Sequence, residues 1–154
     1  MKYVVALDQG TTSSRAILID SEGNLISIKQ KEFNQIFPKQ GWVEHDPIEI
    51  LETQLEVFNQ LLIENNVNPS DIISLGITNQ RETVLLWDRR TGKPLYNAIV
   101  WQDKRTSDIC QKMKEDGLET YVKKNTGLVI DSYFSGTKIK WIMDNVEGVK
   151  SKIK

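Results

Sequence analysis

The sequence predicts an α/β fold, a mixed sheet that opens with three antiparallel strands and is flanked by helices. Three observations carry this. Before Asn34 the chain holds three extended runs joined by short polar turns. One amphipathic segment then separates them from a further β-branched run, "IISLGIT". After Asp103 the pattern is helical, so the order is three strands, a helix, more strands, then helices, which suits a sheet with helices packed against it.

Taken in order, Val4 to Leu7 read as a buried strand and Ala16 to Ile19 as its partner. "LISIKQKEF" follows the polar turn Glu22-Gly23-Asn24 as the third strand. After the loop "NQIFPKQGWVEHDP", Asp46 suits a helix N-cap, Pro47 the first turn and Glu49 the capping-box position. Ile48, Leu51, Leu55, Phe58 and Leu62 recur at three and four, an apolar stripe running to about Glu64. "NVNPSD" breaks the helix; "IISLGIT" reads as a buried strand, "TVLLWD" as another, and "YNAIVW" as a short extended piece. Asp103 suits the cap of a helix reaching Glu115 and closed by Gly117, with a place in a pocket wall as its alternative role. A short helix over Leu118 to Lys124 and another from about Thr137 complete the chain. There is no internal repeat, and the tail "EGVKSKIK" reads as a frayed end or as a chain cut mid-course.

Composition narrows the function. At 154 residues the chain fits one domain with a real core, and 39% hydrophobic with 27% charged residues is ordinary for a globular protein. A net charge of −1 gives no support for a nucleic-acid or anionic-membrane partner. One cysteine, Cys110, cannot form an internal disulfide and points to a cytoplasmic location. "MKYVVALD" is too short for a signal peptide, and no run approaches a membrane span.

The first turn, "DQGTTSSR", carries more chemistry than a hairpin needs. Backbone N–H groups around Gly10, with the hydroxyls of Thr11, Thr12 and Ser13, make a cradle of donors for phosphate oxygens. Arg15 adds a guanidinium, and Asp8 at the strand end is placed to hold Mg²⁺, which takes one or two carboxylates plus phosphates. It is no Walker loop, because no Gly-Lys-Ser/Thr follows and the turn leads to a strand. The same residues would equally suit a polar hairpin that satisfies only itself.

"LDQGTTSSRAILID" resembles the first phosphate-binding hairpin of the carbohydrate-kinase family, whose fold is related to actin and hexokinase. "GWVEHDP", "GITNQRETVLLWD" and "AIVWQDKRT" extend the likeness in order and point to its glycerol kinase branch. The resemblance implies an incomplete ribonuclease H-like (actin-like ATPase) domain, with residues 1–154 the N-terminal part of the first, polyol- and phosphate-binding domain and a second domain absent. It implies ATP and Mg²⁺ as cofactors, Thr11, Thr12, Ser13 and Arg15 at the nucleotide phosphates, and Asp8 at the metal, through water. It assigns Arg81, Glu82 and Tyr133 to the hydroxyls of glycerol and Trp101 to its carbon chain. Asp8 and Arg81 are then this segment's candidate catalytic residues. A triol needs fixed acceptors and donors, and an indole gives its CH₂ edges a flat wall.

The same likeness implies transfer of a phosphoryl group from ATP to glycerol, giving glycerol 3-phosphate, in a longer homo-oligomeric enzyme. The family's general-base Asp lies in a Gly-Asp-Gln-type motif that does not occur here. The isolated chain is therefore expected to be nearly inactive, since a missing base costs about 10²–10⁴-fold. A xylulokinase- or gluconokinase-like enzyme, and a non-catalytic polyol- or phosphate-binding fragment, are the alternatives. His45 lacks an adjacent nucleophile, Cys110 reads as a packing residue, and Lys138, Lys140, Lys150, Lys152 and Lys154 read as a solvated face.

Overall fold

The computed structural model describes residues 1–152; Ile153 and Lys154, the last member of the lysine run, lie outside the described residues. The chain divides into two units, residues 1–35 with 48–80 and residues 36–47 with 81–154.

In the first unit, β1 (Tyr3–Gln9), β2 (Ser13–Asp20) and β3 (Leu25–Glu32) form the antiparallel meander expected, and β5 (Ile72–Thr78) adds to β1 in parallel. The sheet order is β3-β2-β1-β5. The β2–β3 turn is held by Asp20, whose Oδ1 accepts the Glu22 and Asn24 N–H groups at 2.9 Å each. Gly23 sits at φ +90°, where a side chain would be strained.

Helix α1 (Pro47–Glu64) begins at the proline, as read from sequence, but turns a different face to the sheet. Thr53, Val57 and Leu61, spaced by four, are buried with Leu62 against Val5, Ala16 and Leu18. Ile48, Leu51 and Leu55, members of the expected stripe, are exposed. Polar Thr53 belongs to the inner line because its hydroxyl pairs with Ser14 Oγ at 2.8 Å, a pairing no hydropathy pattern reveals. Glu49 at the helix start also reaches the preceding loop, its Oε1 accepting from Asn34 N and Nδ2 at 3.1 and 2.9 Å. Strand β5 corrects another expectation. It is an edge strand, and Ile73, Leu75 and Ile77 are exposed rather than buried.

The second unit pairs β4 (Glu44–His45) with β6 (Ala98–Ile99) and continues through α2 (Ser107–Glu115), α3 (Glu119–Thr126), α4 (Ser135–Asn145) and α5 (Val149–Lys152). Its core gathers Val84, Ile99, Ile142 and Val149. "TVLLWD" is not a strand. Val84 and Trp87 make only isolated bridges, to Ile99 and Pro94, because the turn at Asp88 to Lys93 closes before a ladder can extend.

Asp103 does not cap α2 either; the N-cap is Thr106. Asp103 is buried and grips Arg105 through Nε at 2.9 Å and Nη2 at 2.8 Å. The same Nη2 donates to Glu44 Oε1 at 2.8 Å, so one guanidinium bridges two acids. Burial works against this cation, but the hydrogen bonds to Asp103 and Glu44 outweigh it and hold its pKa above that of a free guanidinium. Cys110 is buried, in keeping with its reading as a packing residue. Lys138 is 0% exposed and does not belong to a solvated face. No helix among the described residues is long and apolar enough to cross a membrane.

Candidate functional site

The candidate residues fall into two groups, one in each unit. In the first, Gly10, Thr11 and Thr12 close the β1–β2 hairpin, with Gly10 N donating to Ser13 O at 3.0 Å. A Cβ on Gly10 would lie 3.0 Å from that oxygen, a contact tight enough that the turn would have to shift to admit it. The hairpin is fastened from the side: Phe33 N donates to Thr12 O at 3.3 Å and Gln35 Nε2 to Thr11 O at 3.2 Å. Ser13 Oγ accepts from Gln30 Nε2 at 2.9 Å, while Thr12 stays exposed at the tip.

Register places Asp8 opposite Arg15. Arg15 Nη1 lies 3.5 Å from Asp8 Oδ2, and both side chains are a little over one-third exposed. The hairpin thus presents a guanidinium and a carboxylate beside a glycine turn, a set that suits a polyphosphate with a divalent cation.

In the second unit, Glu82, Trp101 and Tyr133 come together. Glu82 adopts φ +63°, rare for a residue with a side chain. Its Oε2 accepts Ser135 N at 2.8 Å and Ser135 Oγ at 2.6 Å. Ser135 opens α4, so its free N–H is one of the donors a helix start leaves for an acid. Tyr133 is set two residues earlier by Asp131, whose Oδ1 accepts the Tyr133 N–H at 2.8 Å. The Tyr133 ring meets Trp101 edge-on, with centroids 5.9 Å apart, and Trp101 N donates to Thr83 Oγ1 at 3.4 Å. Arg81, adjacent to Glu82, is exposed.

Sequence reasoning missed Asp131, Ser135 and Lys138. Ser135 lies two residues after candidate Tyr133, at a helix start, a signal available in "DSYFSG"; the burial of Lys138 left none. Burial lowers the Lys138 pKa to about 8, against the opposing pull of Glu82, Asp103 and Asp131.

Residues 3–154 match the N-terminal domain of the FGGY family of carbohydrate kinases. The chain belongs to that family. It is 62% identical over 152 residues to a glycerol kinase of Clostridium perfringens, covering 98% of this chain and 30% of that protein. It is 61% identical over 152 residues to glycerol kinase 2 of Thermotoga maritima, covering 99% of this chain and 31% of that protein. The solved Plasmodium falciparum glycerol kinase with ADP superposes with a TM-score of 0.91 at 37% identity, over 99% of this chain and 30% of that one. The FGGY fold is the actin/hexokinase-like ATPase fold that the sequence predicts, and this chain spans about 30% of the length of those relatives.

Proposed function

We propose that the chain is the N-terminal segment of a glycerol kinase, and that the longer protein transfers the γ-phosphoryl group of ATP to glycerol, yielding glycerol 3-phosphate. The observation that carries the reading is the Glu82 carboxylate, tied through one oxygen to Ser135, two residues after Tyr133, whose ring meets Trp101 edge-on. Its other oxygen is directed by those bonds and suits a hydroxyl donor. Arg81 and Tyr133 supply donors to further hydroxyls, and the indole faces the CH₂ edges. A site built this way rejects analogues that lack a hydroxyl, because its own polar groups are then stranded.

On the other unit, Thr11, Thr12, Ser13 and Arg15 would hold the phosphates of ATP, and Asp8 would hold Mg²⁺ through water. Asp8 fits that role because its carboxylate, paired with Arg15 at 3.5 Å, stays more than one-third exposed at the end of β1. The metal, when bound, neutralises charge on the phosphates. Nothing in these residues abstracts the proton of the acceptor hydroxyl; that general base, like most of the adenosine pocket, belongs to the rest of the protein. On this reading the enzyme works in the cytoplasm, which suits a chain with a single cysteine, and assembles as a homo-oligomer at full length.

The test is ADP release from Mg·ATP by the intact kinase carrying this segment, with glycerol, xylulose and gluconate as acceptors. Glycerol is expected to be preferred; a preference for xylulose or gluconate would transfer the reading to a sister kinase. The 154-residue chain alone is expected to show near-zero turnover. Robust turnover would mean that the base lies within it.

A further inference from the structure

We infer that Lys138 is a positioning residue for the candidate polyol site, fixing Glu82 and Tyr133 by gripping, from inside the domain, the Tyr133–Ser135 segment to which Glu82 is bonded. The inference rests on the polyol reading above. Lys138 is 0% exposed, and its Nζ donates to the Tyr133 carbonyl and, at 3.3 Å, to the Phe134 carbonyl. The side chain reaches back past the start of α4, the direction in which helical side chains point.

The Phe134 carbonyl and the Ser135 N–H belong to the same peptide group. Lys138 holds its oxygen while Glu82 Oε2 holds its hydrogen at 2.8 Å. A peptide placed between a cation and an anion is polarised along that line, so each hydrogen bond strengthens the other. It cannot rotate without breaking both. The orientation of the Glu82 carboxylate thus follows from a lysine that touches no ligand. The preceding carbonyl, that of Tyr133, is fixed by the same ammonium, while Asp131 fixes the Tyr133 N–H.

Burying an ammonium is costly unless its donors are used. A methionine would fill the same space without that cost, so packing alone does not explain a lysine here. Strain gives a second reason. Glu82 holds a left-handed backbone conformation that the surroundings must enforce, and its two bonds to Ser135 are the visible restraint. The charged groups around the ammonium are Glu82, Asp103 and Asp131, with the Cys110 thiol. The loop's acids therefore face one buried cation.

The test uses the intact ¹⁵N-labelled kinase that carries this segment, with and without Lys138→Met. Hydrogen exchange at the Ser135 amide is expected to quicken by roughly tenfold or more, the loss of one charge-assisted bond. The dissociation constant for glycerol, from titration of the Trp101 and Glu82 resonances, should rise by a similar factor. Binding of Mg·ATP at the hairpin should be unchanged, which a general loss of stability would not allow. Unchanged exchange at Ser135 would overturn the inference. If the intact unsubstituted kinase binds no glycerol, the polyol reading fails, while the Ser135 amide still decides the role of Lys138. Should Lys138→Met not fold, Lys138→Gln keeps an N–H donor without the charge. It is expected to shift Ser135 exchange several-fold in the same direction, and no shift would again refute the proposal.

Discussion

Replacing Arg105 with methionine is expected to destabilise the second unit more than any exposed charge change. The Arg105 side chain is 0% exposed and bridges Glu44 and Asp103, themselves 3% and 0% exposed, at 2.8 Å each. Its guanidinium also lies over the Trp42 and Trp141 rings, 3.9 and 4.7 Å from their centroids. Methionine removes three hydrogen bonds to carboxylates and one to Tyr96 Oη, and leaves two carboxylates facing each other without a cation. Glu44 keeps Tyr96 Oη and Asn97 Nδ2, and Asp103 keeps the N–H groups of Val43 and residue 105, so neither acid is stripped bare. Breaking a buried pair by removing one partner costs about 3–5 kcal/mol. One acid can relieve the repulsion by taking up a proton, which places the expected loss near the lower end, roughly 3 kcal/mol. At 2–4 °C per kcal/mol for a chain of this size, the midpoint should fall by about 10 °C. The assay is urea unfolding followed by tryptophan fluorescence, at pH 7 and again at pH 5. In the variant a folded carboxylate has a raised pKa, so its deficit relative to the parent should shrink as pH falls. A loss below about 1 kcal/mol, or a deficit independent of pH, would refute the view of Arg105 as the neutralising centre of this core.

Three further outcomes follow from the geometry. In the intact kinase, Glu82→Ala should raise the KM for glycerol by roughly tenfold or more with the KM for ATP little changed, and Thr11→Ala should do the reverse; an unmoved glycerol KM would count against the pocket. Lys138 has a folded pKa of about 8 against 10.5 for a free lysine, so between those values the unfolded chain binds more protons. The melting temperature of the parent relative to Lys138→Met should therefore rise from pH 8 to 10.5 and stay level below 8; a falling difference would contradict the burial. Gly10→Ala forces a methyl to within 3.0 Å of the Ser13 carbonyl, and circular dichroism melting should show a loss of roughly 1 kcal/mol or more; full stability would mean the turn has room to shift.

The opening meander could be read from sequence because its signals are local. A strand pair with a polar turn, and Asp20 placed to accept the N–H groups two and four residues on, need no knowledge of the rest of the chain. Which face of α1 is buried was not legible. Leu51 and Leu55 are as apolar as Val57 and Leu61, and only the partner sheet decides between the two lines. Strand β5 misleads in the same way. Its composition suits a strand covered on both faces, yet it forms the sheet edge with Ile73 and Ile77 at 61% and 72% exposure. "TVLLWD" fails for a different reason. β-propensity measures fit to neighbouring strands, and here the short hairpin closed at Asp88 offers only two isolated bridges.

For the site, side chains on a turn or at a helix start could be named, because "DQGTTSSR" and "RET" advertise polar groups between apolar runs. The charges that set those groups in place could not. Lys138 was grouped with Lys140 and Lys150, and nothing local separates them; only the fold directs one inward while Lys140 pairs with Asp144 at 2.6 Å on the surface. Asp103 looked like a cap because Asp before a helix usually is one. Its true partner, Arg105, lies two residues away, and the pair has value only because Glu44, distant in sequence, closes the same core. Both errors share a cause. A buried charge is tolerated only where several distant groups converge to satisfy it, so its role belongs to the assembled unit and not to the segment that contains it.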